Sequence, residues 1–137
     1  MAKWKVGLIG NGGICKGAHL STYLNDERLE VVAVCDIIEE RAQFLKDNYF
    51  PDAKVYTDFN ELLKDETIEV VHVLTPNRSH SFITIDALEA GKHVMCEKPM
   101  AKTYAEAKAM LEASQRTGKK LTIGYQSRHY ASADYLK

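Results

Sequence analysis

Cysteine is scarce in this sequence. Cys15, Cys35 and Cys96 are an odd number without metal-ligand spacing, and each sits in or beside an apolar run. They read as small buried hydrophobes, which argues against a disulfide framework and against a zinc motif. No apolar run approaches the length of a membrane span, and Met1-Ala2-Lys3-Trp4-Lys5 leads straight into a strand pattern. No membrane partner and no signal peptide are therefore expected, and the cytoplasm is the expected compartment. An excess of one charge is missing as well. The 18 basic and 19 acidic side chains are interspersed and leave a net charge of −1. Without a basic tail or cluster, nucleic acid is not an expected partner. Repeats, linkers and low-complexity stretches are also lacking. What is present is a hydrophobic content of 45% in 137 residues, enough to build the core of one domain.

The most informative stretch is Lys5-Val6-Gly7-Leu8-Ile9-Gly10-Asn11-Gly12-Gly13-Ile14-Cys15-Lys16. A short apolar run reads as a buried parallel strand, breaks into glycines, and resumes as a helix through Ala18, Leu20 and Leu24. Strand, glycine turn and helix are what a dinucleotide needs at its pyrophosphate. One glycine permits the tight turn, and another lets the backbone approach phosphate oxygens. The helix N-terminus then offers free N–H groups. The pattern Gly10-x-Gly12-x-x-Cys15 departs from the usual fingerprint, because its third position is normally Gly or Ala; cysteine is small enough to keep helix and strand close. By itself such a turn also fits an ordinary strand–helix corner. The next strand, Leu29 to Cys35, strengthens the nucleotide reading because it ends in Asp36, 24 positions beyond Gly12. A carboxylate there accepts the ribose hydroxyls of an adenosine. The alternative role is N-cap of the helix starting at Glu39, and the upstream glycines favour the ribose. The same charge repels a 2′-phosphate, so NAD is expected over NADP.

Helical spacing continues over Glu39 to Tyr49, with Ala42, Leu45 and Tyr49 as the inner positions, and Pro51 ends it. Lys54 to Thr57 is a third strand, and Asp58 caps a brief helix through Leu63. Glu69 to Leu74 is a β-branched fourth strand, apolar enough to be buried on both faces. Thr75-Pro76-Asn77 ends it, and a helix from about Ser79 to Ala90 closes at Gly91. Lys92 to Cys96 is the fifth strand, followed by Glu97-Lys98-Pro99. Thr103 and Glu106 form a capping box for a helix that turns Ala107, Met110, Leu111 and Ser114 to one face. A sixth strand spans Leu121 to Tyr125, and a further helix starts at Arg128. The class is α/β: a doubly wound parallel sheet of about six strands in the order 3-2-1-4-5-6. In such a sheet the ligand lies beyond the carboxyl ends of the strands, which gathers Gly10–Gly13, Asp36, Thr75–Asn77, Glu97–Pro99 and Gln126–Arg128 on one edge.

Those loops resemble the N-terminal half of the Gfo/Idh/MocA oxidoreductases, whose Rossmann fold is the one just described. The matching segments are Gly7–Ile14, Val34-Cys35-Asp36, Val55–Phe59, Thr75-Pro76-Asn77-Arg78-Ser79-His80, Ala90–Pro99 and Gly124–Arg128. Together they cover nearly the whole chain in order, and the Thr-Pro-Asn-x-x-His and Glu-Lys-Pro motifs are specific as a pair. The resemblance implies that Gly10, Asn11, Gly12, Gly13 and Ile14 hold the pyrophosphate and that Asp36 and Ile37 hold the adenosine. Thr75, Pro76 and Asn77 would line the ribose and nicotinamide side, with His80 capping the next helix or touching that loop. Glu97 and Lys98 would lie at the nicotinamide, with Lys98 as the catalytic lysine. A cationic ring beside an ammonium favours its neutral form, and the ammonium stabilises an alkoxide as hydride leaves a carbinol. Pro99 fixes the backbone behind it, a cis Lys98–Pro99 bond being one way. Lys98 as a solvated surface lysine is the reading without the resemblance.

His19, His72, His93 and His129 have no spacing that suggests metal ligands. Arg128 fits a substrate contact and an ion pair equally, and Tyr125 suits a core or interface place. Residues 1–125 form the NAD-binding domain, and 126–137 begin the connection to a second domain that family members carry and this sequence does not contain. Two functions follow. One is the NAD-binding part of an oxidoreductase moving hydride between the cofactor and a sugar, cyclitol or similar polyol. The other is a non-catalytic nucleotide-binding module, a sensor or scaffold subunit. Apolar surface that a second domain would cover favours a homo-oligomer.

Overall fold

The structure, a computed structural model, describes residues 2–129. Six parallel strands form one sheet in the order β3-β2-β1-β4-β5-β6. They are β1 (Trp4–Ile9), β2 (Leu29–Cys35), β3 (Lys54–Tyr56), β4 (Val70–Val73), β5 (His93–Glu97) and β6 (Leu121–Gly124). Between them run α1 (Leu20–Asn25), α2 (Glu39–Asn48), α3 (Phe59–Leu63), α4 (His80–Glu89) and α5 (Tyr104–Thr117). The expected order is the one found. Gly91 follows α4 at φ +80°, and the Thr103–Glu106 capping box opens α5. Asp58 caps α3 by accepting the Asn60 amide. No helix of the described residues is long and apolar enough to cross a membrane. The helix expected from Arg128 onward lies mostly outside the described residues.

Strand alternation divides the apolar side chains between two cores. Ile9, Val71, Val73, Val94 and Cys96 face α3, α4 and α5, meeting Leu62, Ile83, Leu88 and Met110. Val6, Leu8, Val31 and Val34 face the other way, toward Cys15, Leu20, Ala42 and Leu45. Burying a leucine as fully as Leu8 or Leu45 is worth about 1.5–3 kcal/mol over leaving it in water. The register aligns the strand ends. Ile9 pairs with Cys35 on one side and Val73 on the other, Val73 pairs with Cys96, and Glu97 pairs with Gly124. The loops that follow therefore leave the sheet in one row, and the order reverses between β1 and β4.

Three helix faces differ from the sequence reading. Ala18 and Leu24 are exposed, while His19, Leu20 and Tyr23 turn inward. The cause is a π-helical stretch, Cys15–His19, ahead of α1; its wider turn rotates every later residue away from the 3.6-residue register. On α2, Tyr49 falls outside the last turn and is exposed, and Phe50 is buried in its place. On α5, Leu111 faces solvent, and Ala113 is packed in the core beside Met110 instead.

Candidate functional site

The first β–α corner is shaped by Gly10. It sits at φ +93°, and a Cβ on it would lie 2.7 Å from the carbonyl carbon of Leu74. No L side chain fits both constraints, so the turn after β1 can press against the turn after β4. Gly10 N–H donates to the Cys35 carbonyl at 2.8 Å, and Leu74 N–H donates to Ile9 at 2.8 Å. Gly13 borders open space, with nothing within 4 Å of an added Cβ, and the Arg41 guanidinium is the nearest group to a Cβ on Gly12, at 3.9 Å. Amides at a helix start generally have no carbonyl a turn earlier to bond to, and here Lys16 N–H already donates to the Gly12 carbonyl at 3.3 Å. An open cradle of backbone donors is what a pyrophosphate requires, so these residues fit a dinucleotide. Cys15, at the third fingerprint position, is fully buried against the strand, and burial pushes its thiol up to about 11. Cys35 and Cys96 are buried too, their thiols raised to about 12 and about 11 mainly by desolvation; all three are free cysteines without thiolate character.

Asp36 ties the first two corners together. One carboxylate oxygen accepts the Asn11 amide at 2.8 Å and the other accepts the Ile38 amide at 2.9 Å. The residue is 7% exposed, and Ile38, not Asp36, stands at the N-cap of α2. Each carboxylate oxygen keeps further lone-pair capacity. Beyond Asp36 lies a cleft of about 620 Å³, lined by Gly10, Ile37, Arg41, Thr75, Pro76 and Phe82 among others. Ile37, 85% exposed, lines it as apolar surface, and Ile14, in the turn after β1, is exposed as well. Asn11 is fully buried and its Oδ1 has no hydrogen-bond partner among the described residues.

On the other side of the switch point, the β4 and β5 loops are pinned to each other. His80, 1% exposed, puts Nε2 2.7 Å from the Thr75 carbonyl oxygen and Nδ1 2.7 Å from the Pro99 carbonyl oxygen. It touches the Thr75 loop, and both ring nitrogens are engaged by the chain itself. Ser79 Oγ lies 2.7 Å from Thr75 Oγ1, and Asn77 opens a short 3-10 turn. The Lys98–Pro99 bond is cis. There the chain parts two neighbouring charges: Lys98 is exposed, and Glu97 is turned inward at 3% exposure. Glu97 Oε1 lies 2.6 Å from His19 Nε2 and accepts Gln126 Nε2 at 3.3 Å, while Oε2 accepts the Lys98 amide at 3.2 Å. Arg128 is exposed at the same end.

Sequence reasoning missed the surroundings of Glu97. His19, His72 and Glu97 are all buried, with ligand-capable atoms within 4.8 Å of one another. Tyr23 reaches His72 Nδ1 through its hydroxyl. Burial, and then the neighbouring His19, depress the His72 imidazole to about 3. The available signal was His72 itself, a polar residue at an inward position of an apolar strand; His19 gave none, because the π stretch that turns it inward has no spacing signature.

Known proteins resemble this chain in sequence and in fold. Residues 4–125 match the family model described as oxidoreductase family, NAD-binding Rossmann fold. Inositol 2-dehydrogenase of Salmonella typhimurium is 41% identical over 127 residues, covering 91% of this chain and 38% of the relative. D-glucoside 3-dehydrogenase of Escherichia coli is 38% identical over 133 residues, covering 97% of this chain and 38% of the relative. The WlbA dehydrogenase from Bordetella pertussis, solved with NADH and UDP-GlcNAcA, superposes with a TM-score of 0.91 at 28% identity, covering 98% of this chain and 38% of that one. The chain thus spans under two-fifths of the length of these relatives. With glycine corner, strand order and sequence match all in agreement, it belongs to the Gfo/Idh/MocA oxidoreductase family and is an NAD-binding Rossmann domain of it.

Proposed function

We propose that this domain holds a nicotinamide dinucleotide for hydride exchange with a sugar, cyclitol or similar polyol, with Lys98 as the acid/base. The observation that carries this reading is the separation of Glu97 and Lys98 at one strand end, one buried and one exposed, in line with the Gly10 corner. Gly10, Asn11, Gly12, Gly13 and Ile14 take the pyrophosphate, and Asp36 and Ile37 the adenosine. Thr75, Pro76 and Asn77 line the nicotinamide side. His80 serves from behind, holding the Thr75 loop to Pro99, and Glu97 serves by fixing the backbone amide of Lys98.

The bound dinucleotide supplies the hydride acceptor. As a carbinol is oxidised, Lys98 Nζ takes the hydroxyl proton while the hydride leaves the carbon, and a carbonyl remains; reduction returns that proton. The names of the relatives, an inositol and a glucoside dehydrogenase, support the polyol and sugar class. Residues 126 onward begin the connection to a substrate domain, and the apolar surface at Tyr104, Leu111 and Tyr125 favours self-association.

Fluorescence titration tests the cofactor reading: NADH binds more tightly than NADPH, because Asp36 opposes a 2′-phosphate. Equal or reversed affinity overturns that assignment. Lys98→Ala, assayed with a polyol substrate, abolishes hydride transfer and leaves NADH affinity within a few-fold. A collapse of NADH binding would instead make Lys98 structural.

A further inference from the structure

We propose that His19, His72 and Glu97 form a binding site for one divalent transition-metal cation of the zinc class. The three come from separate elements: the π-helical stretch before α1, the middle of β4 and the end of β5. Their candidate ligand atoms lie within 4.8 Å of one another, and all three residues are buried. Two imidazoles and one carboxylate are a three-ligand set that zinc accepts, leaving a fourth position for water or another donor.

The second observation is His72 Nε2. His72 is 2% exposed, and this nitrogen has no hydrogen-bond partner among the described residues. Its other nitrogen is taken by the Tyr23 hydroxyl, so the ring is oriented. With Nδ1–H donating to the Tyr23 oxygen, Nε2 carries the free lone pair. That is the arrangement of a metal-bound histidine, whose remote nitrogen is held by an outer partner. Glu97 follows the same pattern: Oε2 is held by the Lys98 amide, and Oε1 is the atom near His19. The His19 and His72 rings stand at 80° with centroids 4.6 Å apart, which brings both imidazoles to one point. The His19–Glu97 hydrogen bond stands where a cation would; loading replaces it with two metal bonds and gives the His72 nitrogen a partner. None of the three residues lines the Asp36 cleft, and Glu97, which also accepts the Lys98 amide, is the residue this site shares with the dinucleotide reading.

Chelator-treated protein titrated with Zn²⁺ in a calorimeter, and with Co²⁺ by visible absorption, tests this. The expected result is one equivalent bound, with a d–d band of nitrogen–oxygen coordination and no thiolate charge-transfer band. His72→Gln weakens Zn²⁺ binding about tenfold or more, whereas His93→Gln, at the far end of β5, leaves it unchanged. Circular dichroism checks folding, and Glu97→Gln is read if His72→Gln fails to fold. If neither variant folds, the Co²⁺ spectrum of the native chain decides. Lack of stoichiometric binding, binding indifferent to both ligand variants, or a thiolate signature would each overturn the proposal.

Discussion

The two halves of the carboxyl edge recognise by different means. On the β1–β3 side the glycine corner offers backbone amides and the Asp36 carboxylate, beside an open cleft with an apolar wall at Ile37. On the β4–β6 side the polar groups are side chains: His72, His80 and Glu97 are buried among one another's elements, while Lys98 reaches solvent. The first half is shaped by what a glycine turn permits. The second is shaped by groups that meet only when helix and strand pack. Substitutions on the first side should therefore act through backbone geometry, and those on the second through burial and protonation.

The largest effect is expected at Gly10. Gly10→Ala forces a side chain into left-handed backbone and onto the Leu74 carbonyl, and should lower unfolding free energy by about 4 kcal/mol in urea. A loss below about 1 kcal/mol would mean the corner relaxes freely. On the other side, acid is the probe. The depressed His72 stays neutral in the fold, while an unfolded histidine binds a proton below its ordinary 6.5. The unfolded state then holds more protons, so stability falls as pH drops from about 6.5 towards 3. His72 alone should contribute a decline on the order of 3 kcal/mol. His72→Gln should flatten that part of the stability-against-pH curve, and identical slopes for the two proteins would remove the role of burial.

Asp36→Ala leaves the Asn11 and Ile38 amides without their acceptor, a loss of about 2 kcal/mol in the same denaturation. It should also narrow the preference for NADH over NADPH; an unchanged ratio would give Asp36 a purely structural part. The smallest effect on stability belongs to Gly13→Ala, which meets open space and should shift unfolding by less than about 1 kcal/mol. The same methyl intrudes on the pyrophosphate cradle, so NADH affinity should fall about tenfold by titration. Unchanged affinity would move the cradle elsewhere.

Much of this molecule could be read from neighbouring letters. Val70 to Val73 announce a strand buried on both faces, Thr103 and Glu106 announce a helix start, and Gly10 announces a turn, because each signal acts within a few residues. Strand order followed from handedness and the glycine corner, and with it the row of loops that forms the site. The inward turn of His19 and Tyr23 was not legible, nor was the outward turn of Ala18 and Leu24, because a π stretch changes the period on which face assignment depends. The second use of Asp36, holding the glycine corner through Asn11, joins residues 25 positions apart. His19 and Glu97, 78 positions apart, meet only because β1, β4 and β5 lie side by side. Sequence periodicity records which face a residue prefers when its own turn is regular. Which buried polar groups then become partners is decided by packing, since the energy of leaving each one unpaired depends on what the rest of the fold brings within reach.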